Sequence, residues 1–197
     1  MKRVLTNYLF ILFILPGILT ACGGGGGGNG DGGNPQAGPQ PQNPPPDGLW
    51  MPALGVTPET GNYIYLESEA GDYIGQGGVY TYTGSNSIIS VNTPEGNRIW
   101  ISVQGDESWS GDFQAMDNLT HLQAGYYGDL QRWPFHNPTE GGLDWGGEGR
   151  GCNNLGGWFV VDNVTYSGNT VTAIDLRFEQ HCENFTPALR GQIHWSQ

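Results

Sequence analysis

The strongest constraint on this chain is a two-residue rhythm. Between Thr170 and Glu179, Ile174, Leu176 and Phe178 alternate with Asp175, Arg177 and Glu179. Successive side chains of a strand point to opposite faces, so such a run buries one face and wets the other. Arg98–Gln104 repeats the device, with Ile99, Ile101 and Val103 on one face. So does the C-terminal run, where Leu189, Ile193 and Trp195 oppose Arg190, Gln192 and His194. Further strands are predicted at 63–66, 79–83, 87–92, 109–115, 125–130 and 158–166. Turn signals at Gly84-Ser85-Asn86, Pro94-Glu95-Gly96-Asn97 and Ser167-Gly168-Asn169 divide several of them. From Trp50 onward no ten-residue stretch carries a helical stripe. Many short strands at this spacing predict an all-β fold, an antiparallel β-sandwich of jelly-roll-like kind with roughly eight to ten strands. Residues 49–197 hold 7 Trp, 8 Tyr and 5 Phe, enough for one core and one module.

What precedes the module reads as an address. Lys2 and Arg3 are followed by an apolar run from Tyr8 to Leu19, the order of a secretory signal peptide. A membrane-spanning helix needs about 20 apolar residues, and Pro16 and Gly17 argue against one here. The run ends in Leu19-Thr20-Ala21-Cys22, which resembles a bacterial lipobox, where the Cys is acylated and becomes the mature N-terminus. The resemblance implies residues 1–21 as signal peptide, a lipidated, palmitate-type Cys22, and the membrane as partner through that lipid. Several acyl chains together anchor a protein stably. The implied location is the cell envelope, and the outer membrane in a Gram-negative host, since Gly23 rather than Asp follows the Cys. Residues 22–48 then form a Gly/Pro tether: 11 Gly and 6 Pro fall within 23–48, with no aromatic or β-branched side chain. Such a segment cannot offset its ordering entropy by burial and is expected to be disordered.

Charge and cysteines narrow the function classes. The chain carries 19 acidic against 7 basic residues, a formal net charge of −12. A nucleic-acid partner is excluded on that balance, because phosphate contacts need a basic patch. With Cys22 assigned to lipid, Cys152 and Cys182 remain; an exported compartment permits a disulfide between them and an even remainder invites it. Closing a loop of roughly 30 residues would stabilise by about 3–4 kcal/mol. The alternative, a metal held by Cys and the adjacent His181, lacks paired C-x-x-C spacing. The stretches Gly71-Asp72-Tyr73-Ile74-Gly75, Arg132-Trp133-Pro134-Phe135, Gly149-Arg150-Gly151-Cys152-Asn153, Phe178-Glu179-Gln180-His181-Cys182-Glu183 and Pro187-Ala188-Leu189-Arg190-Gly191 resemble the signature of a β-rich module of bacterial secreted proteins and lipoproteins without assigned activity. That resemblance implies an extracellular fold with a Cys152–Cys182 bridge, and no substrate.

Candidate sites are weighed on residue chemistry. A glycan hydrolase would use paired carboxylates, for which Glu67, Asp72, Asp144 and Glu148 are the candidates. No Gly-x-Ser-x-Gly elbow supports a serine triad. The loop Asp144–Gly149 has oxygen ligands but not the spacing of a calcium loop, and His121, His136, His181 and His194 fit no zinc spacing. No metal and no cofactor is therefore expected. The favoured reading is a non-catalytic module for binding, adhesion or envelope organisation, with a glycan or envelope component as ligand. The alternative is the glycan-active hydrolase. The stretch Arg132–Arg150 shows no strand-like alternation and is expected to be a long loop, the kind of connection that carries function. Its Trp133, Phe135, Asp144, Trp145 and Glu148 are the candidate ligand-binding residues, aromatics stacking on sugar rings and acids taking the hydroxyls. The competing reading makes that loop a cap with its aromatics turned inward.

Overall fold

The computed structural model describes residues 38–197, in which ten strands and no helix are found. They are β1 (Tyr63–Ser68), β2 (Val79–Thr83), β3 (Ile88–Glu95), β4 (Arg98–Gln104), β5 (Ser108–Gln114), β6 (Gly125–Arg132), β7 (Gly142–Gly147), β8 (Leu155–Ser167), β9 (Thr170–Cys182) and β10 (Leu189–Ser196). All ten belong to one sheet, ordered β2-β1-β10-β9-β8-β6-β7-β5-β4-β3. Its edge strands β2 and β3 are consecutive in the chain and lie against each other, so the sheet rolls nearly into a barrel. The expected all-β architecture is present, formed by one curled sheet. Neighbouring strands are antiparallel except β6 and β7, which run parallel.

The core follows the rhythm of the sequence. Ile99, Ile101 and Val103 of β4, Ile174, Leu176 and Phe178 of β9, and Leu189 and Ile193 of β10 all face inward and are buried. Inward aromatics are accommodated by glycines directly across from them. Trp145 on β7 faces Gly111, where a Cβ would fall 2.4 Å from the indole; Trp109 faces Gly147 at 2.3 Å; Phe178 faces Gly191 at 2.2 Å. Any side chain at those glycines would collide with an aromatic ring, which accounts for glycine inside strands that otherwise favour branched residues. Phe113 packs on Phe159, Phe178 and Trp145 with ring centroids 5.5, 5.6 and 6.1 Å apart. Aromatic pairs in this range add to the burial of apolar area.

The outward face is polar and ordered by cross-strand rows. Trp158, Glu179, Arg190 and Glu67 are register partners across β8, β9, β10 and β1. Asn163, Asp175, His194 and Tyr63 form another row, beyond that of Arg177, with Asn163 and His194 both bonded to Asp175. Part of this face is covered by the end of the Gly/Pro tether. Gln42 exchanges two 2.9 Å backbone bonds with Tyr126, the Asn118 amide donates to Pro39 O at 2.9 Å, and Arg177 donates to Trp50 O at 3.0 Å. The boundary expected at 49 therefore falls inside packed structure: residues 38–48 include a stretch that satisfies the backbone groups of Tyr126 on the side of β6 away from β8, before β7 joins it at Gln131.

Candidate functional site

Cys152 and Cys182 form a disulfide, with Cα atoms 5.2 Å apart, that ties the β7–β8 connection to the end of β9. Both sulfurs are thereby committed, and the His181 ring is held elsewhere: Nδ1 lies 3.1 and 3.0 Å from the Phe185 and Thr186 carbonyls, and Nε2 3.3 Å from Glu179. Cys22 lies outside the described residues.

The stretch Arg132–Arg150 departs from the expected long loop. Arg132 ends β6, a turn covers 133–141, and Gly142–Gly147 is strand β7. Its alternation is only Leu143-Asp144-Trp145, with glycines on either side, too short to register as a period. The parallel pairing of β6 and β7 covers just Gln131–Gly142 and Arg132–Leu143. Beyond it, the fully buried side chain of Gln180 takes the place of a strand: its Oε1 accepts the Trp145 N–H at 3.1 Å and its Nε2 donates to Trp145 O at 2.7 Å.

The five candidate residues consequently scatter. Trp145 is wholly buried against Phe178 and cannot meet a ligand, which corrects its assignment as a binding residue. Glu148 is exposed at the β7–β8 turn, where its Oε1 accepts the Ser108 N–H at 2.6 Å. Trp133 is half-buried, with the Arg98 guanidinium 4.4 Å above its ring. Phe135 is 74% exposed, with Arg132 5.5 Å from its ring. Asp144 faces outward and is the register partner of Asp112 on β5.

This Asp112–Asp144 pair floors a groove of about 490 Å³ across β4, β5 and β7, whose lining includes Trp100, Ser110 and Glu148. Arg98 donates to Asp112 Oδ1 at 2.6 Å, while Arg132 stands 3.9 Å from Asp144, too far for a hydrogen bond. Burial pushes the Asp144 carboxyl up to about 6, against the pull of Arg132, and the Asp112 charge adds to the rise. Burial raises Asp112 too, with Arg98 opposing it. Of the other hydrolase candidates, Glu67 accepts a bond from the Tyr65 hydroxyl at 3.1 Å and Asp72 is buried in the β1–β2 connection. Neither lines the groove of Asp144 and Glu148.

A larger groove, about 610 Å³, opens over β6 and β8. Its aromatic walls are Tyr126, Phe135 and Trp158; the Tyr126 and Trp158 rings lie 6.3 Å apart at 39°. Asn153, Asn154, Asn184 and His181 supply amide and imidazole groups along it. Gly156 keeps one stretch of the floor bare, and a Cβ there would fall 2.7 Å from the Asn184 amide oxygen. Tyr126 folds over Gly128, where a Cβ would fall 2.5 Å from the phenol ring. Trp158 is fixed by donating from Nε1 to Glu179 at 3.3 Å, and Glu179 is fixed by Arg190. Flat apolar walls combined with oriented amides suit a sugar, which has an apolar ring face and equatorial hydroxyls. Of the residues that build this groove, sequence reasoning found only Phe135. Trp158 was hidden in the uniformly apolar run Trp158-Phe159-Val160-Val161, where nothing marks which side chains face out. Compared with known proteins, the chain matches no family model, no curated protein and no solved structure.

Proposed function

We propose that the protein is an envelope lipoprotein, anchored through Cys22, whose β-module binds a glycan without transforming it. The observation that carries the binding reading is the groove of Tyr126, Trp158 and Phe135, where aromatic surfaces are kept outside the core beside three asparagine amides. The anchoring part rests on the leader and on Leu19-Thr20-Ala21-Cys22, and the resemblance to secreted bacterial modules agrees with it. The test is retention of the full chain on insoluble glycans, peptidoglycan sacculi included, for the parent and for Trp158→Ala and Tyr126→Ala. Retention should fall about two- to tenfold in each variant, the scale of one lost aromatic contact. Equal retention of parent and variants would remove the groove from consideration.

One observation favours a second reading, a glycan hydrolase. Cross-strand neighbours hold their Cβ atoms about 4.5–5.5 Å apart, and Asp112 and Asp144 are such neighbours with unequal environments: one is bonded to an arginine, the other is pushed up to about 6. A protonated acid beside a carboxylate is what retaining glycoside hydrolysis uses. Reducing-end release from the glycans that the chain retains, abolished by Asp144→Asn, would establish it in place of pure binding.

A further inference from the structure

A third recess, a cleft of about 520 Å³, lies beside the disulfide. Three connections build it: 69–78 between β1 and β2, 148–154 between β7 and β8, and 183–188 between β9 and β10. They are cross-tied into one frame. Arg150 Nε donates to Ile74 O at 2.7 Å, Glu69 N donates to Ala188 O at 2.9 Å, and a Cβ on Gly71 would sit 3.3 Å from the Pro187 ring. Four of the five stretches singled out in the sequence, more than 100 residues apart at the extremes, contribute to this lining.

Three properties of the cleft point to one ligand chemistry. First, Tyr73 and Phe185 line it while remaining 58% and 67% exposed, so the fold itself gains little from them. Second, its carboxyl side chains are Asp72 and Glu183, and no Lys, Arg or His lines it. Glu183 is held ionised below the usual carboxylate range, chiefly by the Asn153 N–H donating to it at 2.7 Å. Third, Asp72 is only 4% exposed, and its two oxygens differ. Oδ2 accepts from the Ser68 hydroxyl at 2.8 Å and from the Gly75 N–H at 2.6 Å, whereas the buried Oδ1 has no donor among the described residues. A buried carboxylate oxygen without a donor is costly and calls for one from outside the chain. Two acids beside exposed aromatic rings attract a cation with a hydrogen to donate and an apolar stem to cover. A neutral hydroxyl would answer the free oxygen but leave both charges unbalanced.

We propose that this cleft binds an organic cation, an alkylammonium or guanidinium group of the kind carried by Lys and Arg side chains, which donates to Asp72 Oδ1 and packs on Tyr73 and Phe185 while Glu183 balances its charge. The cleft shares only Asn153 with the aromatic groove, and the residues varied to test it line the cleft alone, so its success or failure does not decide the glycan reading. The test is titration of the full chain in detergent with 1,5-diaminopentane, and with a blocked Lys-containing peptide, followed by NMR of the Tyr73 and Phe185 rings. 1,5-Pentanediol and glutarate serve as neutral and anionic controls of the same length. Both cations should perturb these rings saturably and the controls should not. Tighter binding of the peptide identifies a polypeptide segment as the source of the cation, and equal binding identifies a free amine. Tyr73→Ala and Phe185→Ala, which alter exposed side chains, should leave Tm unchanged and weaken the cations about tenfold. Asp72→Asn should abolish the response; should that variant not fold, the two aromatic variants decide. Diaminopentane behaving like pentanediol, or affinity unchanged in both aromatic variants, would overturn the proposal.

Discussion

Two sets of aromatic residues lie inside and outside the curled sheet. Phe113, Trp145 and Phe178 are wholly buried and touch one another. Tyr126, Trp158 and Phe135 lie outside, half-buried or exposed, along the β6–β8 groove. Residue type does not separate the sets; strand parity and glycine placement do. Trp145 is received by Gly111 from inside the barrel, and Tyr126 is received by Gly128 from outside it. The inner set is a stability element, and the outer set adds surface that the fold can spare.

The sharpest way to break this comparison is to truncate one member of each set. Trp145→Ala removes a side chain with no exposure, and such truncations cost about 3–5 kcal/mol. Tm should fall by about 6–20 °C at the usual sensitivity for a domain of this size. Calorimetry or denaturant melts would show it, and a loss under about 1 kcal/mol would mean that the core closes around the gap.

A middle-sized effect tests the charged groove over β4, β5 and β7. Asp144 has its folded pKa, about 6, raised above the unfolded value. For an acid shifted in this direction, the folded state favours the proton, so stability is greatest below the unfolded value and declines as pH rises through the window from about 4 to 6. Asp144→Asn removes the penalty. The variant should match the parent at pH 4 and exceed it at pH 7.5 by on the order of 1–2 kcal/mol, a figure reduced from the full shift because the carboxyl is partly exposed. Urea melts at the two pH values measure this, and a variant less stable at pH 7.5 would show that the ion pair with Arg132 outweighs burial.

The smallest effect belongs to the outer set. Phe135→Ala at a 74% exposed position should change stability by no more than about 0.5 kcal/mol. It should nonetheless reduce glycan retention, and that split between folding and binding is what the comparison demands.

Much of the fold was legible because alternation survives wherever a strand buries one face. Arg98–Gln104, Thr170–Glu179 and Leu189–Ser196 read correctly down to which side chains point inward. Legibility failed where glycine replaced the apolar beats. In β7, Gly142, Gly146 and Gly147 meet the His136 ring, the Arg150 carbonyl and the Trp109 indole, all outside the strand itself, so nothing within its own sequence marks the reason. The candidate site suffered more. Trp133, Phe135, Asp144, Trp145 and Glu148 are near one another in sequence, yet the turn at 133–141 and the strand after it send them to the core, two grooves and a stacking contact. Asp112, which gives Asp144 its neighbour, lies on another strand, and only the register of β5 against β7 brings the two together.

The short wall made by residues 153–154 and 183–184 has a consequence of its own. Asn153 lines both the aromatic groove and the cleft beside the disulfide. The wall is stitched by the Asn153 N–H donating to Glu183 and the Glu183 N–H donating to Asn154 O, both at 2.7 Å, next to the Cys152–Cys182 bridge. Two ligands that both contact Asn153 are coupled to the extent that one of them shifts this wall. Whatever factor the first occupant applies to the affinity of the second, the second returns to the first. If both proposed ligands bind, a polymer that presents sugar rings and amino groups together gains avidity, set by the spacing of those groups as much as by either contact alone.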